Sequence, residues 1–557
     1  MSEIEKLKKE VEKLKKENLD LKKKKKFGLV WEEREREKNI DDGEYYPYLV
    51  KKGNAFGFDN NETNKNILIE GDNYHALEIL QYTHKEKIDV IYIDPPYNTG
   101  KKNEFKYGDS WIDKNSGYKH SYWLSFINKR LEIAKNLLSK DGLILISIDE
   151  NEYARLKLLC DDIFTSSNFI GSFVKKISGG KNDSKTIKVN HEYLLCYKRT
   201  EKATIHLNIE YTKKDETRSL QKDGDNEERF NRENLWYPIY ANINTKEISL
   251  EFKKDMIEIF PIKNDGLERY WRWEYDTAIK RIDELRLTKT KFDDGEIKYD
   301  IGVFTPKGTK KELPWNSFIS DFSAGGGTQL KEVLEKKIPG MYPKNLDYIK
   351  WICNLSVKKN PIILDFFAGS GTTGQALEEL KKDVKFHIEN PKYILITNNE
   401  SNICEDVCYQ RIKKANEKYN YNSNLEYLKT ELLKYDSQKH SDLDIKEFMV
   451  DKLIEIIKVR EACFKLDDIN KFLLKFAHIN KSVYVLQDIY KMKKNDYEEV
   501  VSILKDDEKD KINIYILSMS NHEHYINKIS KVHKNITFEP LPESFLKMLR
   551  KIERKRR

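Results

Sequence analysis

No run of apolar residues in this chain reaches the ~18–20 positions that a bilayer-spanning helix needs, and charge begins at Glu3, where a secretion signal would be apolar or basic. These absences point to a cytoplasmic protein. Cysteine is scarce: Cys160, Cys196, Cys353, Cys404, Cys408 and Cys463 are the six in 557 residues, none in a C-x-x-C pair. Reduced, buried thiols fit a lysine-rich chain of this size better than a disulfide frame or a zinc site. Also missing is any G-x-x-x-x-G-K-[ST] loop, which excludes a P-loop nucleotide hydrolase, and no nuclease constellation stands in its place. Charge of one sign is barely in excess, 101 Lys+Arg against 93 Asp+Glu. The resulting +8 permits nucleic-acid binding without requiring it.

The length suggests two to four domains at about 100–200 residues each. Residues 1–26 place Ile4, Val11 and Asn18 at heptad a positions and Leu7, Leu14 and Leu21 at d, with Glu at g and Lys at e. That pattern favours a parallel two-stranded coiled coil, although a solvated Lys/Glu helix reads similarly. NILIEGDNYHAL (66–77) and KIDVIYIDPPYN (87–98) each look like a buried strand entering a loop, and residues 120–139 repeat apolar positions at helical spacing. Asp141-Gly142 then breaks the helix before the strand LILISI (143–148), and a helix at 151–164 and the strand HEYLLCYK (191–198) follow. Strand, helix, strand implies a parallel sheet with crossover helices. The rhythm is lost from 200 to 335, where KFDDGEIKY suggests a hairpin, and it returns at 336–420. A lysine-rich α/β domain is expected over 421–557.

Two motifs carry chemistry. In DFFAGSGTTGQAL, a strand ends at Gly369, Gly371 and Gly374, spaced as in a nucleotide-binding turn that opens a helix near Thr372. A nicotinamide enzyme would fit that spacing nearly as well. IYIDPPYNTG (91–100) decides between them. Pro-Pro stops a strand and Asn-Thr-Gly turns it, but this explains neither Asp94 nor Tyr97. An aromatic amine is a poor nucleophile because its lone pair is delocalised. The Asp94 carboxylate and the Pro95 carbonyl, stiffened by Pro96, would each accept one of its N–H groups and aim the nitrogen at an electrophile. Tyr97 would stack on the base for about 1–3 kcal/mol, comparable to the few kcal/mol that extruding a base costs.

Together DPPYNTG and DFFAGSGTT resemble the amino-methylating DNA methyltransferases, and in particular the adenine-specific modification subunit of type III restriction-modification systems. The resemblance runs from about 64 to 412 and includes GDNYHAL, SIDENEYARLK, NHEYLLCYK, GGGTQLKEV, YPKNLDYIK and TNNESNICEDVCYQRI. DPPY preceding the glycine turn is similar to the permuted beta group. The implied fold is an α/β, Rossmann-like class I methyltransferase sheet, circularly permuted, with halves at 27–199 and 336–420 around a target-recognition domain at 200–335. The resemblance further implies that Asp365, Phe367, Gly369, Ser370 and Gly371 bind S-adenosylmethionine, with Thr372 capping the helix beneath. Glu400 would hold the ribose hydroxyls, Asp72 would meet the cofactor adenine or simply cap a helix, and Thr328 and Gln329 would approach the methionine end. No metal is implied. The expected partners are double-stranded DNA, a second copy of the chain and a separate restriction subunit that hydrolyses nucleotide and cuts.

For DNA contact, RYWRWEY (269–275) offers Arg269, Trp271 and Arg272, and Lys175, Lys176 and Lys181 lie near Gly179-Gly180. The tryptophans of that segment would serve equally as core of a strand, with the arginines in solvent. N4-cytosine methylation uses the same geometry, glutamine-amide methylation of a protein a related one, and a catalytically degenerate DNA-binding scaffold is the reading from outside the enzymes.

Overall fold

The computed structural model describes residues 29–31, 45–52, 56, 65–99, 118–177, 187–222, 232–262, 267–291, 297–322, 325–434, 442–463 and, with short gaps, 466–546. The heptads at 1–26 and Lys181 lie outside these residues. The chain divides into two compact units, 207–315 and the remainder.

The larger unit is built on one ten-stranded sheet. In chain order its elements are β1 (Tyr45–Lys51), β2 (Asn66–Glu70), α1 (Asn73–Thr83), β3 (Ile88–Ile93), α2 (Lys119–Leu137), β4 (Leu138–Ile148), α3 (Tyr153–Phe164), β5 (Phe169–Lys176), β6 (His191–Lys198), β7 (Phe318–Ile319), α4 (Gly326–Leu334), α5 (Leu346–Cys353), β8 (Ile362–Asp365), α6 (Thr372–Leu380), β9 (Lys392–Thr397), α7 (Gln410–Tyr419) and β10 (Leu425–Lys434). The spatial order is β1-β10-β2-β9-β8-β3-β4-β6-β5-β7. From β10 to β4 every neighbour is parallel. The central strands are accordingly near-continuous Ile/Leu/Val runs, because helices cover both faces and no side can be polar.

Several expectations change here. β6 runs antiparallel to both β4 and β5, so the parallel rhythm ends at β4. β4 begins at Leu138 rather than Leu143: Leu138 pairs with Ile88, and an irregularity before Val90 absorbs Asp141-Gly142 inside the strand. β10, assigned by sequence to the tail, lies in the central sheet between β1 and β2. The remaining tail begins with the helix Asp442–Glu461, which packs on β1 and α1, and continues into a five-stranded sheet over Leu466–Phe538. All six cysteines are buried and free, and no described helix is long and apolar enough to cross a membrane.

The smaller unit, 207–315, is narrower than the expected 200–335, because the flanking residues belong to the larger unit. Leu285–Lys291 and Ile297–Thr305 pair antiparallel across KFDDGEIKY, as a hairpin requires. Its core gathers Leu220, Tyr237, Ile239, Leu285 and Ile301 around Trp271. Trp271 is wholly buried, its indole Nε1 donating to the Tyr237 carbonyl at 2.8 Å. Arg269, expected at DNA, is only 3% exposed. Of the three residues named there, Arg272 alone faces solvent, its Nε donating to the Gln221 carbonyl at 3.2 Å. The segment is irregular, not a strand, and its bulk fills this unit's interior. Trp271→Ala should therefore destabilise the unit by about 3–5 kcal/mol. Urea unfolding followed by tryptophan fluorescence checks this, and an unchanged first transition would contradict it.

Candidate active site

β8 and β3 are adjacent and parallel, in register through Ile363 with Val90 and Leu364 with Ile91. The chain leaves β8 towards β9 and leaves β3 towards β4, on opposite sides, so a crevice opens where the strand order reverses. Both motifs end these two strands. They line one cavity of about 790 Å³, within the range of roughly 300–1,000 Å³ usual for small-molecule sites.

On the β8 side, Asp365 braces the turn from within. Its Oδ1 accepts the Phe367 N–H at 3.0 Å and its Oδ2 the Thr373 hydroxyl at 2.6 Å. Burial pushes this carboxyl up to about 7 against those two hydrogen bonds, and the Asp94 charge adds to the rise. Phe367, Gly369, Ser370 and Thr372 line the cavity. Gly371 sits at φ +75°, and a Cβ there would lie 2.9 Å from Cys408 Sγ, so the turn admits no side chain at this point. Thr372 is the first residue of α6, not its cap, which is Gly371. Its hydroxyl instead accepts from Arg411 Nη1 at 2.6 Å. Arg411 is wholly buried beneath the turn, also bonding Ser370 Oγ at 3.2 Å and Gln375 Oε1 at 2.7 Å.

On the β3 side, Asp94, Pro95, Pro96 and Tyr97 all line the cavity. The Trp123 indole donates to the Pro96 carbonyl at 2.7 Å, and the Asn98 amide to Glu152 Oε1 at 2.5 Å, which pins both ends of the Pro-Tyr-Asn turn. Among the described residues nothing donates to the Pro95 carbonyl. Asp94 Oδ1 accepts the Tyr97 hydroxyl at 2.8 Å and lies 3.2 Å from the Lys344 ammonium. Lys344 also reaches the Tyr97 hydroxyl at 2.5 Å and Glu192 Oε2 at 2.6 Å, and Lys175 pairs with Glu192 Oε1 at 2.9 Å. Two acids and two ammonium groups thus alternate along one wall. Burial pushes the Asp94 carboxyl up, Lys344 opposing it and Glu192 adding to it. Burial would raise Glu192 as well, but Lys344 and Lys175 outweigh it and hold that carboxyl down at about 2.

Lys175, expected at DNA phosphates, is therefore a buried ion-pair member of this wall, whereas Lys176 faces solvent. Sequence reasoning assigned no role to Glu192, Lys344 or Arg411, although NHEYLLCYK, YPKNLDYIK and CYQRI contain them. The available signal was a charge set against a buried apolar run, as in Glu192 beside YLLCY.

Five cofactor candidates do not line the cavity: Gly371, which turns the chain beneath it, and Asp72, Glu400, Thr328 and Gln329. Asp72 is the N-cap of α1, accepting the Tyr74 N–H at 2.7 Å and facing Arg130 at 3.3 Å. Glu400 lies beyond β9 with its side chain exposed. Thr328 is exposed on α4, and Gln329 Oε1 accepts the Leu346 N–H at 2.9 Å. Gln329 thereby secures the turn that carries Lys344, whose far side is held by Asn345 Oδ1 capping α5 through the Tyr348 N–H at 3.0 Å. Gly326 completes the fit, since a Cβ there would lie 2.0 Å from the Pro343 carbonyl oxygen.

Comparison with known proteins adds family evidence. The DNA methylase family matches residues 88–408. The type II methyltransferase M.KpnI of Klebsiella pneumoniae is 36% identical over 325 residues, 56% of this chain and 76% of that protein. The type III restriction-modification enzyme EcoPI Mod subunit of Escherichia phage P1 is 30% identical over 372 residues, 58% of this chain and 56% of that protein, so the chain spans little more than half of the Mod subunit's length. Among solved structures, the PvuII DNA methyltransferase (cytosine-N4-specific) aligns at 11% identity with a TM-score of 0.33 over 65% of this chain and 95% of that one.

The glycines of α4 offer a paired test. Gly326→Ala should cost about 1–3 kcal/mol by overpacking against Pro343. Gly327→Ala, which meets nothing within 4 Å, should be neutral or gain up to about 1 kcal/mol. Urea unfolding of the two variants side by side decides it, and equal midpoints would contradict the contact.

Proposed function

Because the chain belongs to the DNA methylase family, we propose that it is a site-specific adenine-N6 DNA methyltransferase, the modification subunit of a type III-like restriction-modification system. The observation that carries this reading is the sharing of one cavity by Asp94 and the glycine turn of β8. S-adenosylmethionine would supply a methyl group on a sulfonium, already a good leaving group. The fit is favourable: the volume suits a ligand of that size, and the turn at the start of α6 presents Gly369, Ser370 and Thr372 to the cavity at a helix N-terminus. Phe367, Gly369, Ser370 and Thr372 would hold it. Asp365 and Arg411 would keep that turn in shape.

The protein's own part is orientation and charge. Asp94 Oδ1 is engaged by Tyr97 and Lys344, while no described residue bonds Oδ2. Oδ2 would accept one N–H of the extruded adenine amine and the Pro95 carbonyl the other. The nitrogen lone pair is thereby freed from conjugation and aimed across the cavity. Asp94 would then take the proton that the amine releases. Lys344 favours the ionised form of Asp94 against burial and Glu192, and Glu192 anchors Lys344 so that its ammonium stays at that wall when the amine arrives. With DPPY preceding the glycine turn and a compact unit between them, the chain order supports the permuted arrangement, with 207–315 reading the DNA sequence. Lys176 and Arg272 supply exposed cations for phosphates. A second copy of the chain and a separate restriction subunit complete the proposed assembly.

Asp94→Ala should lower methyl transfer at least about 10³-fold while S-adenosylmethionine affinity by calorimetry stays within threefold. Transfer of radiolabelled methyl to DNA, followed by nucleoside analysis, should give N6-methyladenine; N4-methylcytosine would replace the proposed base, and no labelled nucleoside would overturn the function. Lys344→Met should move the acid limb of the rate profile to higher pH by about one unit or more. Removing the cation leaves burial and Glu192, which both raise Asp94, without their main opponent, so the ionised acid forms only at higher pH. Lys344→Arg should restore the limb, and an unmoved limb in Lys344→Met would refute the electrostatic role.

A further inference from the structure

Three tyrosines line the cavity; Tyr92 is buried, and the other two differ in state. Tyr97 is half-buried, with its hydroxyl held by Asp94, Lys344 and Glu192 and the Lys344 ammonium 5.0 Å from its ring centroid. Tyr342 is 91% exposed. Among the described residues it is the one strongly exposed large hydrophobic side chain that lines this cavity. Exposed rings scattered over a surface need no explanation, but this ring stands at a site on a backbone that is fixed around it. Met341 before it packs against Leu330, Leu334 and Val407. Pro343 after it restricts Tyr342 to extended backbone, and the Pro343 carbonyl lies against Gly326. Lys344 and Asn345 are then held at Glu192 and at the start of α5. Among the described residues no hydrogen bond or ring contact engages this side chain, while the residues on either side of it are half-buried and held in place.

Resting on the proposed function, we infer that Tyr342 is a second stacking surface for the extruded adenine, closing over the base from the rim while Tyr97 supports its other face. A nucleobase is the occupant that fits. It is flat and aromatic, it must enter by this mouth to bring its amine to Asp94, and an aromatic surface for it is worth enough to offset part of the cost of leaving the duplex. The hydroxyl of Tyr342 takes no part, in contrast to that of Tyr97, so only the ring is required.

The test uses the full chain on duplexes that carry the methylation site found for the wild type, under single-turnover conditions. Tyr342→Ala should lower the methylation rate at subsaturating DNA about 10- to 100-fold, with S-adenosylmethionine affinity unchanged. Tyr342→Phe, which keeps the ring, should recover most of that loss. A duplex with the target adenine opposite an abasic position separates stacking from wedging. Stacking on the base predicts that the Tyr342→Ala defect persists there, whereas full rescue would make Tyr342 a wedge that pushes the base out and would overturn the inference. A rate equal to wild type on the intact duplex would overturn it too. Failure of the wild type to methylate adenine in any DNA would instead strike the proposed function, and the two failures are thereby distinct.

Discussion

Two neighbouring residue pairs between β3 and β8, Val90 with Ile363 and Ile91 with Leu364, hold the site together. Parallel strands in register end on the same side of a sheet, so once these pairs form, the loop after each strand has no choice of neighbourhood. The segments that meet there are separated by most of the catalytic half of the chain, including all of 207–315. Slippage by one residue would turn the Ile/Leu faces inside out and part Asp94 from the glycine turn. The near-continuous apolar character of both strands is therefore a condition of the chemistry as well as of the core.

Around that junction the enzyme handles charge by alternation. A carboxylate beside a second carboxylate in a half-buried wall would protonate one of them. Lys344 stands between Asp94 and Glu192, and Lys175 caps the far side of Glu192, so each acid has a cation beside it that favours its anion. Buried ion pairs seldom add stability on balance, because desolvation offsets much of the attraction. Their presence here fits a division of labour in which Glu192 holds a cation in place and Asp94 faces the cavity. Arg411 follows the same pattern under the glycine turn, where a single guanidinium fixes two hydroxyls and an amide with its planar fork.

Much of this was legible in the residues. Apolar runs gave β2, β3, β8 and β9, and the glycine spacing and DPPY marked the two loops that line the cavity. What escaped reading depends on distance in sequence. Lys344 and Glu192 are 152 residues apart and become partners only through the sheet. Asp72 and Gln329 carried a motif position yet spend their side chains on helix starts, Asp72 on its own helix and Gln329 on one 17 residues away, which pattern alone does not separate from ligand contact. The direction of β6 was hidden because alternation and burial look the same for either polarity. RYWRWEY read equally as a binding patch and as core on composition, and the bulk of Trp271 made it the centre of its unit's interior.

The position of β10 governs how this protein comes off the ribosome. The neighbours of β2 in the sheet are β9 and β10, more than three hundred residues later in the chain. Until those arrive, both rims of β2 present unpaired backbone groups, the condition that invites intermolecular pairing. Closure of the sheet on both sides of β2 thus waits until more than three hundred further residues have been made.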